Sequence, residues 1–486
     1  MTRDLIDLMH ADVAARERSI AGTQPGHGVV AGVVRRVRRK RAVRHTLQSA
    51  GALVVVVALG GASWFGLRGH ETPEPAHTPT PSVSPTTAPT PSPTSAPAVL
   101  DEIPGLPPTQ ALPPGLLQQT TPGWVLTIYR SEPLNYDTYG QAAPALVHTV
   151  VLVFPAGERY RVVDLPVEAA VSILRWDAGD ATAVVNVEWM QEGGTGGSPR
   201  AVLDLTSGAL TPTPVGVGDA DGGPFYQGVA ADGAELWSDG LGSADEPTDL
   251  YRRTDDGAVE QVGKVGYPMH LDPTGRRMVS VVGSSHDRFA LLDVVDGGRS
   301  ELDFGVPGRW CDLVGWADAG SLLATCADPE PDAADYPARP NSTLVRVEVS
   351  GGATHATELK RYADDEPDPS SWGGVASSGA YAAFTTVERG VDACAAGIAA
   401  WDGGAVVPIQ GVTGQSYHLA AVAGLLYVES APSCQEAVAS TLTAYDPGSG
   451  TSVVLAPVPA PTADVQGWMA GLTTWAVAGA RTPTHF

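Results

Sequence analysis

From residue 120 onward, apolar and polar positions change over in short runs and never settle into a sustained 3.6-residue period. WVLTIYR (124–130), HTVVLVF (148–154), YRVVDL, ATAVVNVEW, RRMVSVVG, RFALLDVVD, STLVRVEV and TLTAYD are rich in Val, Leu, Thr and Tyr. Gly, Asp and Pro clusters bound them, and that texture predicts short β-strands joined by tight turns.

One unit recurs: an apolar strand, a tight turn with Gly, and a second apolar strand. Its copies are Leu174-Arg175-Trp176-Asp177-Ala178-Gly179, Val229-Ala230-Ala231-Asp232-Gly233, His270-Leu271-Asp272-Pro273-Thr274-Gly275 and Val314-Gly315-Trp316-Ala317-Asp318-Ala319-Gly320. Weaker copies end at Gly379, Gly424 and Gly471, so the turn glycines stand 54, 42, 45, 59, 45 and 47 residues apart. Each interval continues into a third strand and usually a fourth, as in FALLDVVDGGRSELD and TLTAYDPGSGTSVVL, with turn residues able to take positive φ between them. Four strands per such interval is a β-propeller blade. The pattern over roughly 120–480 resembles TolB-like and tryptophan-aspartate-repeat propellers, although the full Gly-His to Trp-Asp signature is absent. A sandwich array is the alternative. After Gly471 the last repeat runs short of strands, whereas the first strands have no turn motif ahead of them. The N-terminal strands are expected to complete the C-terminal blade and remove the sheet edges, giving an all-β, seven-bladed β-propeller over 120–486.

A different chain precedes it. Leu47–Leu67 is 21 residues without a charge, enough for a transmembrane helix, and it follows Arg35-Arg36-Val37-Arg38-Arg39-Lys40-Arg41. That asymmetry places residues 1–46 in the cytoplasm and the C-terminal domain outside. The basic segment is long and Trp64-Phe65-Gly66 makes a poor cleavage context, which favours a signal anchor over a cleaved signal peptide. Residues 68–119 hold a Pro/Thr/Ser run that reads as a semi-rigid stalk.

Charge follows the same division. Residues 1–46 carry ten Arg/Lys against four Asp/Glu; residues 101–486 carry 19 against 48, a net of −29. So acidic a body repels phosphate backbones and excludes nucleic acid as a partner. Lys occurs three times in the chain while Arg, Ala, Gly and Pro are abundant, a bias resembling high-GC actinobacterial proteins.

All four cysteines lie beyond the span, which predicts two disulfides. Cys311 and Cys326 are equidistant from a turn at Asp318-Ala319, so they are expected to pair across that hairpin. Cys394 and Cys434 occupy matching places in successive units and are expected to join adjacent blades.

Catalytic signatures are missing: no Gly-x-Ser-x-Gly elbow, no His-Glu-x-x-His, no phosphate-binding loop and no sialidase-type aspartate box. Gly218-Asp219-Ala220-Asp221-Gly222-Gly223 begins like a calcium loop without the downstream Glu. Asp328-Pro329-Glu330-Pro331-Asp332 and Asp364-Asp365-Glu366-Pro367-Asp368 are further acidic loops, read as solvated surface. No cofactor or metal is assigned. Trp124, Tyr226, Trp310, Trp372, Tyr417 and Trp468 stand just before the inner strands of successive units. They either ring a ligand site over the central channel or pack between blades.

At the N-terminus, Leu5, Leu8, Met9 and Val13 fall on one helical face, a candidate dock for a cytoplasmic regulator at residues 1–20; Val30, Val33, Val34 and Val37 form a second face beside the Arg run, suited to anionic lipid. The layout resembles single-pass actinobacterial proteins found with extracytoplasmic-function sigma factors, but residues 1–46 lack the cysteines of the zinc-binding anti-sigma motif. The expected function is a non-enzymatic, membrane-tethered scaffold recognising an extracellular protein, peptide or glycan. The alternatives are a sensor holding a cytoplasmic regulator and a carboxylate-based glycan-active enzyme.

Overall fold

The computed structural model describes residues 106–133, 148–191, 194–217, 224–283, 285–328, 340–350, 353–363, 365–369, 375–377, 381–387, 395–412, 414, 416–431, 440–457 and 468–482. The expected cytoplasmic segment and span lie outside them. Among the described residues no helix is long and apolar enough to cross a membrane.

Seven antiparallel sheets form the blades of an all-β propeller. Their innermost strands are Ala169–Arg175 in blade 1, Phe225–Val229 in blade 2, Met269–Leu271 in blade 3, Trp310–Asp318 in blade 4, Val375–Ser377 in blade 5, Ser416–Val422 in blade 6 and Trp468–Val477 in blade 7. These strands neighbour one another around a ring: blade 7 meets 1, 1 meets 2, 3 meets 4, 4 meets 5 and 5 meets 6. Blade 5 is irregular, because Asp368–Pro369 and Val375–Ser377 both pair along the same edge of Ala382–Val387.

A blade is covered on both sides, so successive residues of a strand serve different cores. In Val125–Pro133, Leu126 and Ile128 join Val171, Ile173 and Val185 of blade 1, while Val125 and Tyr129 join Val422, Leu442 and Leu455 of blade 6. That is why the strand sequence reads as an almost unbroken apolar run. One such cluster fills each of the seven spaces between blades, and each fully buried Val, Leu or Ile contributes about 1.5–3 kcal/mol.

The ring closes as the strand count requires. Trp468–Val477 is the inner strand of blade 7 and Val125–Pro133 the second, with Val125 opposite Val477 and Pro133 opposite Trp468. His148–Val153 and Arg159–Asp164 complete that blade, and Gln110–Ala111 adds a parallel strand to its outer edge, drawing in residues ahead of position 120. Two expectations are corrected here. Gly471 is not a turn glycine: it lies within the inner strand, opposite Arg130, since the partner strand arrives from the other end of the chain. For the same reason Trp124 precedes the second strand of its blade, not the innermost one.

The Cys311–Cys326 disulfide is present within blade 4. Cys394 and Cys434 lie outside the described residues.

Candidate active site

The first and second strands of blades 1 to 6 are consecutive in the chain and join at one face of the ring. The opposite face carries the start of every inner strand and the links between second and third strands. There, at the junction of blades 3 and 4, three side chains meet. Trp310 opens the inner strand of blade 4, and Asp312 is two residues on, so both project to the same side of the strand. The chain at 285–287, between the second and third strands of blade 3, supplies His286.

His286 Nδ1 lies 2.9 Å from Asp312 Oδ1, and Trp310 Nε1 donates to the same oxygen at 3.3 Å. The imidazole stacks on the indole with centroids 4.1 Å apart and planes at 21°. Asp312 is buried, His286 part-buried, and Trp310 is 36% exposed. A carboxylate only accepts, so Nδ1 is the donor in this hydrogen bond. The backbone pays for this placement: His286 sits at φ +50°, a left-handed conformation uncommon for a side chain with a Cβ. Its amide donates to Gly283 O at 3.4 Å and its carbonyl accepts from the Cys311 amide at 2.9 Å. That Cys311 amide points away from its own sheet, so the loop from blade 3 satisfies a group the inner strand would otherwise leave open.

No family model matches the chain, and no curated relative does. Solved structures share the blade arrangement. The acylaminoacyl peptidase of Pyrococcus horikoshii is 10% identical, over 60% of this chain and 46% of its own, with a TM-score of 0.38. A puromycin-hydrolyzing peptidase of Mycobacterium tuberculosis is 15% identical over 65% and 51%, TM-score 0.37. Oligogalacturonate lyase of Vibrio parahaemolyticus is 13% identical over 71% and 90%, TM-score 0.38. This chain spans about half the length of the two peptidases it matches.

The expected non-enzymatic scaffold has no counterpart among these three structures, whose likeness to this chain is one of fold. By their names they are two peptidases and a lyase.

Of the six aromatic residues singled out in the sequence, Trp124, Tyr226, Trp310 and Tyr417 have described side chains. Trp124 is buried between blades 7 and 1, edge-on to Phe154 at 4.8 Å, on the turn face. Tyr226 is buried against Trp237 at 5.2 Å, and burial raises its hydroxyl pKa far above the ordinary value. Tyr417 is buried between blades 5 and 6 and donates to Gly414 O at 2.7 Å. Packing between blades is what these three do. Trp372 lies outside the described residues, and Trp468 is placed only by its backbone, opposite Pro133. Trp310 alone of the described side chains in that set faces solvent beside chemistry.

The acidic loops are similarly occupied where they are described. Asp328 pairs with Arg309 at 3.2 Å and accepts from Asn341 at 2.6 Å; Glu366 pairs with Lys360 at 2.7 Å; Asp368 is buried and accepts from Ser342 Oγ at 3.0 Å. Residues 218–223 lie outside the described residues. Among the described residues no three His, Cys, Asp or Glu side chains gather to hold a metal ion.

Sequence reasoning passed over His286 and Asp312. The available signal was an Asp in the middle of the buried strand Trp-Cys-Asp-Leu-Val, where a carboxylate needs a partner.

Proposed function

We propose that this protein is a glycan-active enzyme whose acid–base pair is His286–Asp312 and whose sugar platform is Trp310. The observation that carries the reading is the His286 Nδ1 to Asp312 hydrogen bond beside a half-open indole. With Nδ1 committed to the carboxylate, Nε2 takes a proton from a substrate hydroxyl or gives one to a leaving oxygen, and Asp312 stabilises the imidazolium formed in between. Trp310 offers an apolar face with a polar edge, which suits the C–H face of a saccharide. The net charge of −29 over residues 101–486 disfavours polyanionic polymers, so neutral saccharides fit best. The charge asymmetry around 47–67 supports a tether that holds the domain outside the cell.

The test is turnover by the purified full chain on a panel of neutral polysaccharides and oligosaccharides, followed by reducing-end release. His286→Gln is expected to lower kcat by roughly 10²–10⁴-fold, and Trp310→Ala to raise KM chiefly. Unchanged turnover in His286→Gln, or no turnover on any saccharide, overturns the reading. For the tether, protease added to intact cells should release the propeller by cleavage within residues 70–100; loss of the N-terminus with the propeller spared would reverse the orientation.

A further inference from the structure

We infer that the Cys311–Cys326 disulfide is a register lock for the His286–Asp312 pair and not a requirement of the fold. Asp318 and Ser321 flank the two-residue turn of the blade 4 hairpin. An unbroken ladder from that turn would set Cys311 opposite Asp328 and Asp312 opposite Ala327. Two irregularities, between Trp316 and Asp318 and between Leu313 and Gly315, each take up one residue, so Cys311 faces Cys326 and Asp312 faces Thr325.

A hairpin with two such irregularities has neighbouring registers close at hand. Undoing either one moves the far end by one residue, and a one-residue slip turns every side chain to the other face of the strand. For Asp312 and Trp310 that means leaving His286. The disulfide lies beyond both irregularities, adjacent to Asp312, and its Cα atoms are 4.0 Å apart across the narrow kind of antiparallel pair. Backbone at both half-cystines also holds the site: the Cys311 amide donates to His286 O at 2.9 Å, and Cys326 O accepts from Arg309 Nη2 at 2.8 Å. The crosslink therefore acts where register error would otherwise reach the site. Fold stability has other sources here, since both cysteines sit within an apolar cluster shared by blades 3 and 4 that includes Leu313, Trp316 and Leu322.

The catalytic meaning of the lock rests on the proposed acid–base role; the register claim stands apart from it. The experiment uses the full chain with Cys311→Ala/Cys326→Ala, and with Cys311→Val/Cys326→Val to refill the space. Fluorine NMR of fluorotryptophan-labelled protein reads the Trp310 resonance, assigned with Trp310→Phe, whose shift reports the stacked imidazole. Both double variants are expected to unfold cooperatively at a lower midpoint, with the Trp310 resonance split or moved to the position it has in His286→Gln. On an active saccharide, kcat is expected to fall on the order of tenfold or more with a smaller change in KM. A Trp310 resonance unchanged in both variants overturns the lock, and so does failure of both to fold, which would make the disulfide a requirement of the fold. Loss of the resonance position in a protein that turns over no saccharide keeps the lock and sinks the acid–base reading instead.

Discussion

Removing the Glu235 carboxylate should cost this protein a large share of its stability. Glu235 opens the second strand of blade 2 and Arg200 lies in the third strand of blade 1, and both are buried. Arg200 Nε and Nη2 each sit 2.7 Å from a Glu235 oxygen, a two-pronged pair across the seam between blades. Trp237 Nε1 donates to the same carboxylate at 3.1 Å, and Arg253 Nη1 stands 3.8 Å away. Glu235→Ala deprives two largely buried guanidinium groups of that carboxylate, which costs about 3–5 kcal/mol. Domains are held by roughly 5–15 kcal/mol in total, so the loss is a large share. The pair itself is not a large net stabiliser, because taking both charges out of water offsets most of their attraction; Arg200→Met/Glu235→Leu should therefore be close to neutral or stabilising. Urea unfolding followed by tryptophan fluorescence, on Glu235→Ala and on the cycle of Arg200→Met, Glu235→Leu and their double variant, measures both statements. If Glu235→Ala costs under about 1 kcal/mol, or the double variant is as damaged as the two singles combined, the seam is not a desolvated ion pair and the burial argument fails.

Burial holds the His270 imidazole at about 4, below its ordinary value, so between about pH 6.5 and 4 the unfolded chain binds a proton that the folded chain refuses; stability should fall with pH in that window by up to about 1.4 kcal/mol per unit, and His270→Leu should flatten the slope in an unfolding series. His148, lowered mainly by burial too, adds in the same direction. Gly228 stands at φ +133°, and a Cβ there would lie 2.4 Å from Arg481 O; Gly228→Ala should lower the unfolding midpoint, and stopping the chain after Ala480 should remove the steric part of that penalty, a result not seen if the clash is absent.

The repeat spacing, the seven units and the split closing blade were legible because each rests on period and on the need to hide sheet edges, which are properties of the chain alone. The pairing of Cys311 with Cys326 was reached through a turn centre one residue off: the turn is Ala319-Gly320, and the two irregularities restore the register that symmetry about Asp318-Ala319 had implied. Irregularities of that kind answer to packing against the neighbouring blade, which local sequence does not encode. Trp124 was misplaced because the first strand in the sequence is the second in its blade, a consequence of closure that a linear repeat pattern hides. His286 and Asp312 are 26 residues apart and belong to different blades; only the seam between blades brings them together, and neither residue sits in a motif.

The two faces of the ring are built differently, and that difference explains why the candidate chemistry sits where it does. On the turn face the first hairpin of one blade is tied to the next. The Gly179 amide donates to Thr120 Oγ1 at 2.8 Å, Arg175 Nη1 to Gly233 O at 3.2 Å, and the Ala231 amide to Gly275 O at 2.7 Å. Arg277 donates to Ala319 O, Ser377 Oγ to Ala317 O at 2.6 Å, and Tyr427 Oη to Gly123 O at 2.7 Å. Past the inner strand of blade 7, the chain then reaches blade 2, where the Val229 amide donates to Arg481 O at 2.8 Å and Arg481 Nη1 donates to Ala230 O at 3.0 Å. Short turns leave room for nothing else, and their backbone groups are spent on one another. On the opposite face, the described connection between the second and third strands of blade 2 runs from Ser238 to Thr248, and such loops can differ without disturbing the cores beneath. The segment 285–287 can contact a neighbouring blade there and hold a histidine in a costly conformation, because the stitched face keeps the blades in place while it does so.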